Sequence, residues 1–149
     1  IRARTLAKGV GDVGHNHALA FSTDGGATFS NSTRMAIETV YCEGSLAAAG
    51  NGDLLVSSPS TNNGVRADLS LFAASKAAPT NFTKVLTLYT GASAYSSMLC
   101  GESSCLNLFE SDTSSLLAVC TSMLGSKPAF PQSVDSDVRC CRHSRVSGL

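Results

Sequence analysis

Apolar residues run along this chain in short bursts, each bounded by residues that favour turns. Ala18–Ser22 is followed by Asp24-Gly25-Gly26. Asp53–Ser57 is preceded by Asn51-Gly52, a pair that readily supplies the backbone angles of a tight hairpin. Leu69–Ala73 follows Asn62-Asn63-Gly64, and in Lys84–Tyr89 the residues Val85, Thr87 and Tyr89 alternate against Leu86 and Leu88. Such a period of two belongs to a strand with distinct faces. Leu106–Glu110 and Leu116–Cys120 complete the set. Strands recurring every ten residues or so predict an all-β sandwich, barrel or propeller. No segment joins helix caps to an apolar period of 3.6 residues. Ser45–Ala49 holds helix-forming residues but is too short to make a helix.

An internal repeat narrows the choice. Ser22-Thr23-Asp24-Gly25-Gly26-Ala27-Thr28-Phe29 follows one apolar strand, and Ser75-Lys76-Ala77-Ala78-Pro79-Thr80-Asn81-Phe82 follows another. Each segment opens on Ser and closes on Phe. In the first, Asp24 can accept backbone hydrogen bonds, Gly25 and Gly26 can take positive φ, and Phe29 is expected to fold back into the core. The second has Ala77 and Pro79 where Asp and Gly stand in the first.

Composition adds limits. The 149 residues are enough for one ordinary domain, and 11 Lys plus Arg balance 11 Asp plus Glu. That balance gives no support to nucleic-acid binding or bulk attachment to a membrane surface. Charged residues are only 15%, Trp is absent, and Gly, Ser, Thr and Ala abound, which suits sheets with tight turns. No apolar run approaches the roughly 18 residues of a membrane span. No signal-peptide pattern is present, and the first residue is Ile1 rather than Met, as in a processed chain or a fragment. The six cysteines, Cys42, Cys100, Cys105, Cys120, Cys140 and Cys141, could form disulfides in a secreted protein, with the pairing left open. Asn31-Ser32-Thr33 and Asn81-Phe82-Thr83 are sequons that matter only in a secretory compartment.

The Ser22–Phe29 segment, with Ser22, Asp24, Gly26 and Phe29 at its key positions, resembles the Asp-box that recurs at strand turns of sialidase propellers. Ser75–Phe82 looks like a degenerate copy. Further segments are similar to sialidase motifs in the family's order. Ile1-Arg2-Ala3-Arg4 resembles the strand ending Asn-Ala-Arg, which makes Arg4 the second of the family's three arginines, with Arg2 the alternative on the same strand face. Cys42-Glu43-Gly44-Ser45 resembles a Cys-x-Gly-Ser segment, in which Glu43 is not the catalytic glutamate. Leu54-Leu55-Val56-Ser57-Ser58-Pro59 is similar to an apolar-Ser-Asn-Pro segment that precedes the third arginine, here Arg66 in Val65-Arg66-Ala67-Asp68-Leu69. Gly91-Ala92-Ser93-Ala94-Tyr95-Ser96-Ser97 resembles the nucleophile segment, with Tyr95 as nucleophile. Leu108-Phe109-Glu110 is similar to the Leu-Tyr-Glu whose glutamate holds the first arginine.

The resemblance implies a partial six-bladed, Asp-box-containing β-propeller over residues 1–120, roughly the C-terminal half of the ring. It implies exo-α-sialidase chemistry on sialylated glycans, whether glycoproteins, gangliosides or oligosaccharides, with no cofactor and no metal. The compartment it implies is secreted, lysosomal or cell-surface. Sialic acid carries a carboxylate on its anomeric carbon, and arginine forks such as Arg4 and Arg66 match a carboxylate in paired hydrogen bonds. An anionic nucleophile would repel that carboxylate, and tyrosine-nucleophile sialidases are a recognised exception among retaining glycosidases. A phenol with a reference pKa of about 10 needs a neighbouring base. In the family a glutamate takes that role and an aspartate serves as acid/base. Both, like the first arginine, are expected upstream of the Arg4 strand, so the chain alone is expected to be inactive and poorly stable.

Two other readings share these residues: a catalytically inactive propeller that binds sialic acid or a protein, and an unrelated Asp-box propeller such as a sorting receptor or glucan hydrolase. Arg66 could also simply pair with Asp68 on the surface, an interaction worth roughly 0–1 kcal/mol. Gly9-Val10-Gly11-Asp12-Val13-Gly14 matches a dinucleotide fingerprint by letters but lacks the following helix. His15 and His17 have no evident third ligand, and Cys140-Cys141 lacks metal-ligand spacing. From Thr121 to Leu149 the resemblance stops, and the tail fits disorder, alternative splicing or a sequence error equally.

Overall fold

The computed structural model describes residues 2–5, 17–40, 42–60, 65–111 and 116–122, with the backbone alone at 2–5 and 122. The Gly9–Gly14 fingerprint, His15, the Asn62-Asn63-Gly64 turn, Cys140, Cys141 and most of the tail lie outside the described residues. Among the described residues nine strands follow one another: β1 Arg2–Thr5, β2 His17–Ala20, β3 Thr33–Arg34, β4 Ser45–Ala48, β5 Leu54–Pro59, β6 Ala67–Ala74, β7 Thr83–Cys100, β8 Ser104–Ser111 and β9 Leu116–Ser122. They form a three-stranded sheet β1-β2-β3 and a curled six-stranded sheet in strict sequence order from β4 to β9. Every pairing is antiparallel. Among the described residues the all-β expectation holds, and each predicted strand is found. Ser45–Ala48 is a strand as well.

Alternation along β5 and β6 explains the layering. Leu54 stands opposite Ala74 and Val56 opposite Phe72. Residues directly opposite in an antiparallel pair share a face, and these four pack with Leu19, Met35, Ile37 and Phe82. The intervening Leu55, Leu71 and Ala73 face the other way and pack with Ala49, Met98 and Cys105. Both faces of the β4–β6 layer are therefore covered, one by β2 and its following segment, the other by the second half of β7 and by β8. Burial of each large apolar side chain here contributes on the order of 1.5–3 kcal/mol.

β7 connects the layers. Its first part, from Thr83 to Ala92, pairs with β6, and its second, from Ser93 to Cys100, pairs with β8. A strand that leaves one meander and opens the next is compatible with part of a β-propeller, whose blades pack face to face in series. A disulfide between Cys100 and Cys105 closes the β7–β8 turn. Cys42 is a buried free thiol. Among the described residues no helix is long and apolar enough to cross a membrane.

Candidate functional site

Register sorts the connections into two ends. Ser45 of β4 stands opposite Ser57, Pro59 opposite Leu69, Ala67 opposite Ala92, Ser93 opposite Ser111, and Glu110 opposite Leu116. Arg66, Tyr95 and Glu110 therefore gather at one end of the six-stranded sheet. The Asn51-Gly52 turn, the Ser75–Phe82 loop and the Cys100–Cys105 hairpin lie at the other. Ser22–Phe29 also emerges from the end of β2 remote from His17. It is thus remote from Gly44, whose hypothetical Cβ would touch the His17 ring.

At the first end, the Arg66 guanidinium lies over the Tyr95 ring, 5.3 Å from its centroid. Backbone pairing supports this contact: the Ser93 N–H donates to the Arg66 carbonyl at 3.1 Å. Between Ser93, opposite Ser111, and Ser96, opposite Phe109, the β7–β8 register shifts. Ala94 and Tyr95 thus face the single residue Glu110, a β-bulge that re-aims a side chain out of the sheet. Tyr95 is 45% exposed. Its neighbour Ser96 is tethered inward, donating to the Ser57 carbonyl at 3.1 Å and meeting Ser57 Oγ at 3.0 Å. Two residues on, the Met98 N–H donates to Ser45 Oγ at 2.9 Å.

Cys42 reports on the electrostatics. Burial pushes its thiol pKa up, the Arg66 charge and the Glu43 N–H pull it down, and Glu110 and Glu43 push it up again. The thiol thus feels Arg66, Glu43 and Glu110 together. Buried His17 sits 3.1 Å from Ser58 Oγ through Nε2, and burial lowers its pKa. Among the described residues no group of His, Cys, Asp and Glu is arranged to hold a metal.

The structure therefore brings Arg66, Tyr95 and Glu110 to one end of the sheet. The backbone of Arg4 stands opposite Ala18, next to the Thr5–His17 pair; its side chain lies outside the described residues. Between Arg66 and Asp68 there is no ion pair: Asp68 Oδ1 accepts the Gly91 N–H at 3.1 Å instead. Asp68 has φ 53°, the one described residue besides glycine with positive φ. Its importance was not read from the sequence, although Asp is among the few side chains that tolerate this conformation.

At the far end, Ser22–Phe29 forms the tight loop expected of it. Ser22 Oγ donates to Asp24 Oδ1 at 2.7 Å and accepts the Gly26 N–H at 2.8 Å. Asp24 also accepts the Thr28 N–H at 3.0 Å and the Thr28 hydroxyl at 2.6 Å. The Thr28 hydroxyl, the Thr28 N–H and the Ser22 hydroxyl hold the Asp24 carboxyl well below the usual carboxylate range. Gly25 and Gly26 take φ 73° and 96°. Phe29 departs from expectation: it is 44% exposed and does not enter the core. Its ring tip lies near Gly26, 3.9 Å from where a Cβ would stand. The degenerate copy does what the better one does not, for Phe82 is 4% exposed and belongs to the first core.

No protein-family model matches the chain, and no curated protein matches it. The described residues define a class, an all-β chain of antiparallel sheets compatible with part of a β-propeller.

Proposed function

We propose that this chain is the C-terminal part of a sialidase-type propeller that removes terminal sialic acid from glycans. The observation that carries the reading is the guanidinium of Arg66 held over the ring of Tyr95, at a bulge facing Glu110. A planar cation beside an exposed phenol suits a sugar whose carboxylate is attached to the reacting carbon. In this reading Arg66 and Arg4 bind that carboxylate. The Tyr95 phenol oxygen bonds to the anomeric carbon, its proton passing to a carboxylate base. The bond to the aglycone oxygen breaks as that oxygen takes a proton from a carboxylic acid. Water then cleaves the sialosyl–tyrosine bond with net retention. Glu110 orients an arginine, and the Asp-box residues Ser22, Asp24, Gly26 and Phe29 shape a turn remote from the chemistry. A secreted, lysosomal or cell-surface address is supported by the Cys100–Cys105 disulfide and by the exposed sequon residues Asn31 and Asn81.

The test is titration of the chain with N-acetylneuraminic acid, followed by NMR at Arg66 and Tyr95, with the methyl ester as control. Carboxylate-dependent shifts that disappear in Arg66→Ala are expected. Identical responses to acid and ester, or none to either, would sink the reading. In the full-length protein, Tyr95→Phe should retain sialoside binding and lose at least 100-fold in turnover, on the order of the loss expected from removing a nucleophile. Unaltered turnover in Tyr95→Phe would remove Tyr95 from the nucleophile's role, and sialoside binding without turnover in the parent protein would favour the inactive sialic-acid-binding propeller.

A further inference from the structure

Arg66 immediately precedes β6 and Tyr95 lies within β7, and an exposed stack of a flexible cation on a ring does not hold itself in place. Three links tie their backbones together. The Arg66 carbonyl accepts the Ser93 N–H at 3.1 Å. Ala67 pairs with Ala92. The Asp68 carboxylate accepts the Gly91 N–H at 3.1 Å. Only the third depends on a side chain, and it sits where both strands leave regular geometry. Asp68 has φ 53° and Gly91 has φ 119°, while the β6–β7 register shifts between Ala67 and Leu69. Here β7 passes from one pairing partner to the next.

A non-glycine residue with positive φ is a strained choice that its surroundings must enforce. The enforcement is visible. The Asp68 carbonyl accepts Ser70 Oγ at 2.8 Å and Ser60 Oγ at 3.1 Å. Those two hydroxyls lie 2.7 Å apart, and Lys84 Nζ donates to Ser60 Oγ at 3.1 Å. The Ser60 N–H in turn donates to the Ala67 carbonyl at 3.1 Å. This network holds the carbonyl side of Asp68, leaving the carboxylate to bind Gly91 across the strand pair.

We infer that Asp68 is a positioning residue: its left-handed backbone and its carboxylate bond to Gly91 set the place of Arg66 over Tyr95. The inference rests on the proposed site for its functional meaning, but its geometry can be tested without activity. The experiment compares the wild-type chain with Asp68→Asn, Asp68→Gly and Asp68→Ala, reading NOE contacts from the Arg66 side chain to the Tyr95 ring. Asn tolerates the same φ and keeps an oxygen acceptor, so its contacts should remain. Gly keeps the backbone freedom and lacks the acceptor, so the contacts should weaken at least two-fold. Ala lacks both, and the contacts should vanish. In the wild-type chain, which needs no variant to fold, the Gly91 amide signal should move with the Asp68 carboxyl signal through an acid titration. A folded Asp68→Gly or Asp68→Ala chain with undiminished contacts would overturn the inference, as would a Gly91 amide indifferent to that titration. Failure of sialic acid to bind a wild-type chain that shows these contacts overturns the functional reading and leaves the positioning role standing.

Discussion

At position 44 the backbone has room for a hydrogen and nothing larger. A Cβ there would lie 2.6 Å from the Ser57 carbonyl oxygen and 3.2 Å from His17 Nε2. Neither neighbour can retreat cheaply. The Ser57 carbonyl already accepts Ser96 Oγ at 3.1 Å, and His17 Nε2 meets Ser58 Oγ at 3.1 Å. Gly44→Ala must therefore be relieved by backbone movement, and overpacking of this kind costs about 1–3 kcal/mol. Urea unfolding should show a lower midpoint at unchanged slope, and a midpoint equal to that of the wild type would contradict this packing. Cys42-Glu43-Gly44-Ser45 thus has a physical content beyond its letters. Cys42 is buried, Gly44 admits the β5 backbone, and Ser45 Oγ accepts the Met98 N–H three residues beyond Tyr95. Displacement at Gly44 would reach Ser96, so the Tyr95 ring signals should shift in the same variant.

Short apolar runs between turn residues were legible as strands, but the letters alone did not specify which face is buried. Along β8, Cys105, Asn107, Phe109 and Ser111 are buried while Leu106, Leu108 and Glu110 are exposed. That strand was predicted from its run of apolar residues. The second half of β7 was not, since Thr90–Ser97 is, Tyr95 apart, made of small residues with no apolar alternation. It is a strand because β8 pairs with it and because Ser96 and Met98 are bound to β5 and β4. Ser45–Ala48 is similar: alanine favours helix, but pairing with β5 overrides that preference. Arg66, Tyr95 and Glu110 were singled out only through a resemblance and their shared end of the sheet came from register, whereas Asp68 needed the structure, because a single φ leaves no pattern in a sequence. The letters favoured burial of Phe29 over Phe82, and packing reverses that order. The β7–β8 turn yields a prediction at this scale. Its disulfide joins residues five apart, and closing so short a loop stabilises by about 2 kcal/mol on the chain-entropy account. Cys105 is buried in the second core, so Cys100→Ser is the cleaner variant. Its urea midpoint should fall while the Arg66–Tyr95 contacts persist, and an unchanged midpoint would show that the bridge does not stabilise the hairpin.

Taken across the whole molecule, acid acts on both ends in the same direction. His17, bound to Ser58 of β5, has its pKa lowered by burial. Asp24, at the far end, has its pKa lowered by hydrogen bonds from Thr28 and Ser22. For each group the folded state binds protons less readily than the unfolded chain, so stability falls as pH drops. The His17 contribution is complete above the unfolded histidine value, about 6.5, and is lost from there down through its folded pKa. The Asp24 contribution begins to fail only near the unfolded aspartate value, about 3.9. Urea midpoints taken from pH 8 to pH 3 should therefore be level at the top and decline in two stages. His17→Gln should remove the first stage and leave the second, while Asp24→Asn should do the reverse. Equal midpoints at pH 7.5 and pH 5 in the wild type would refute the His17 assignment. Because His17 touches the position of Gly44 and its neighbour Ser58 adjoins the Ser57–Ser96 tether, the first stage should also disturb the Tyr95 signals, and the second should leave them alone.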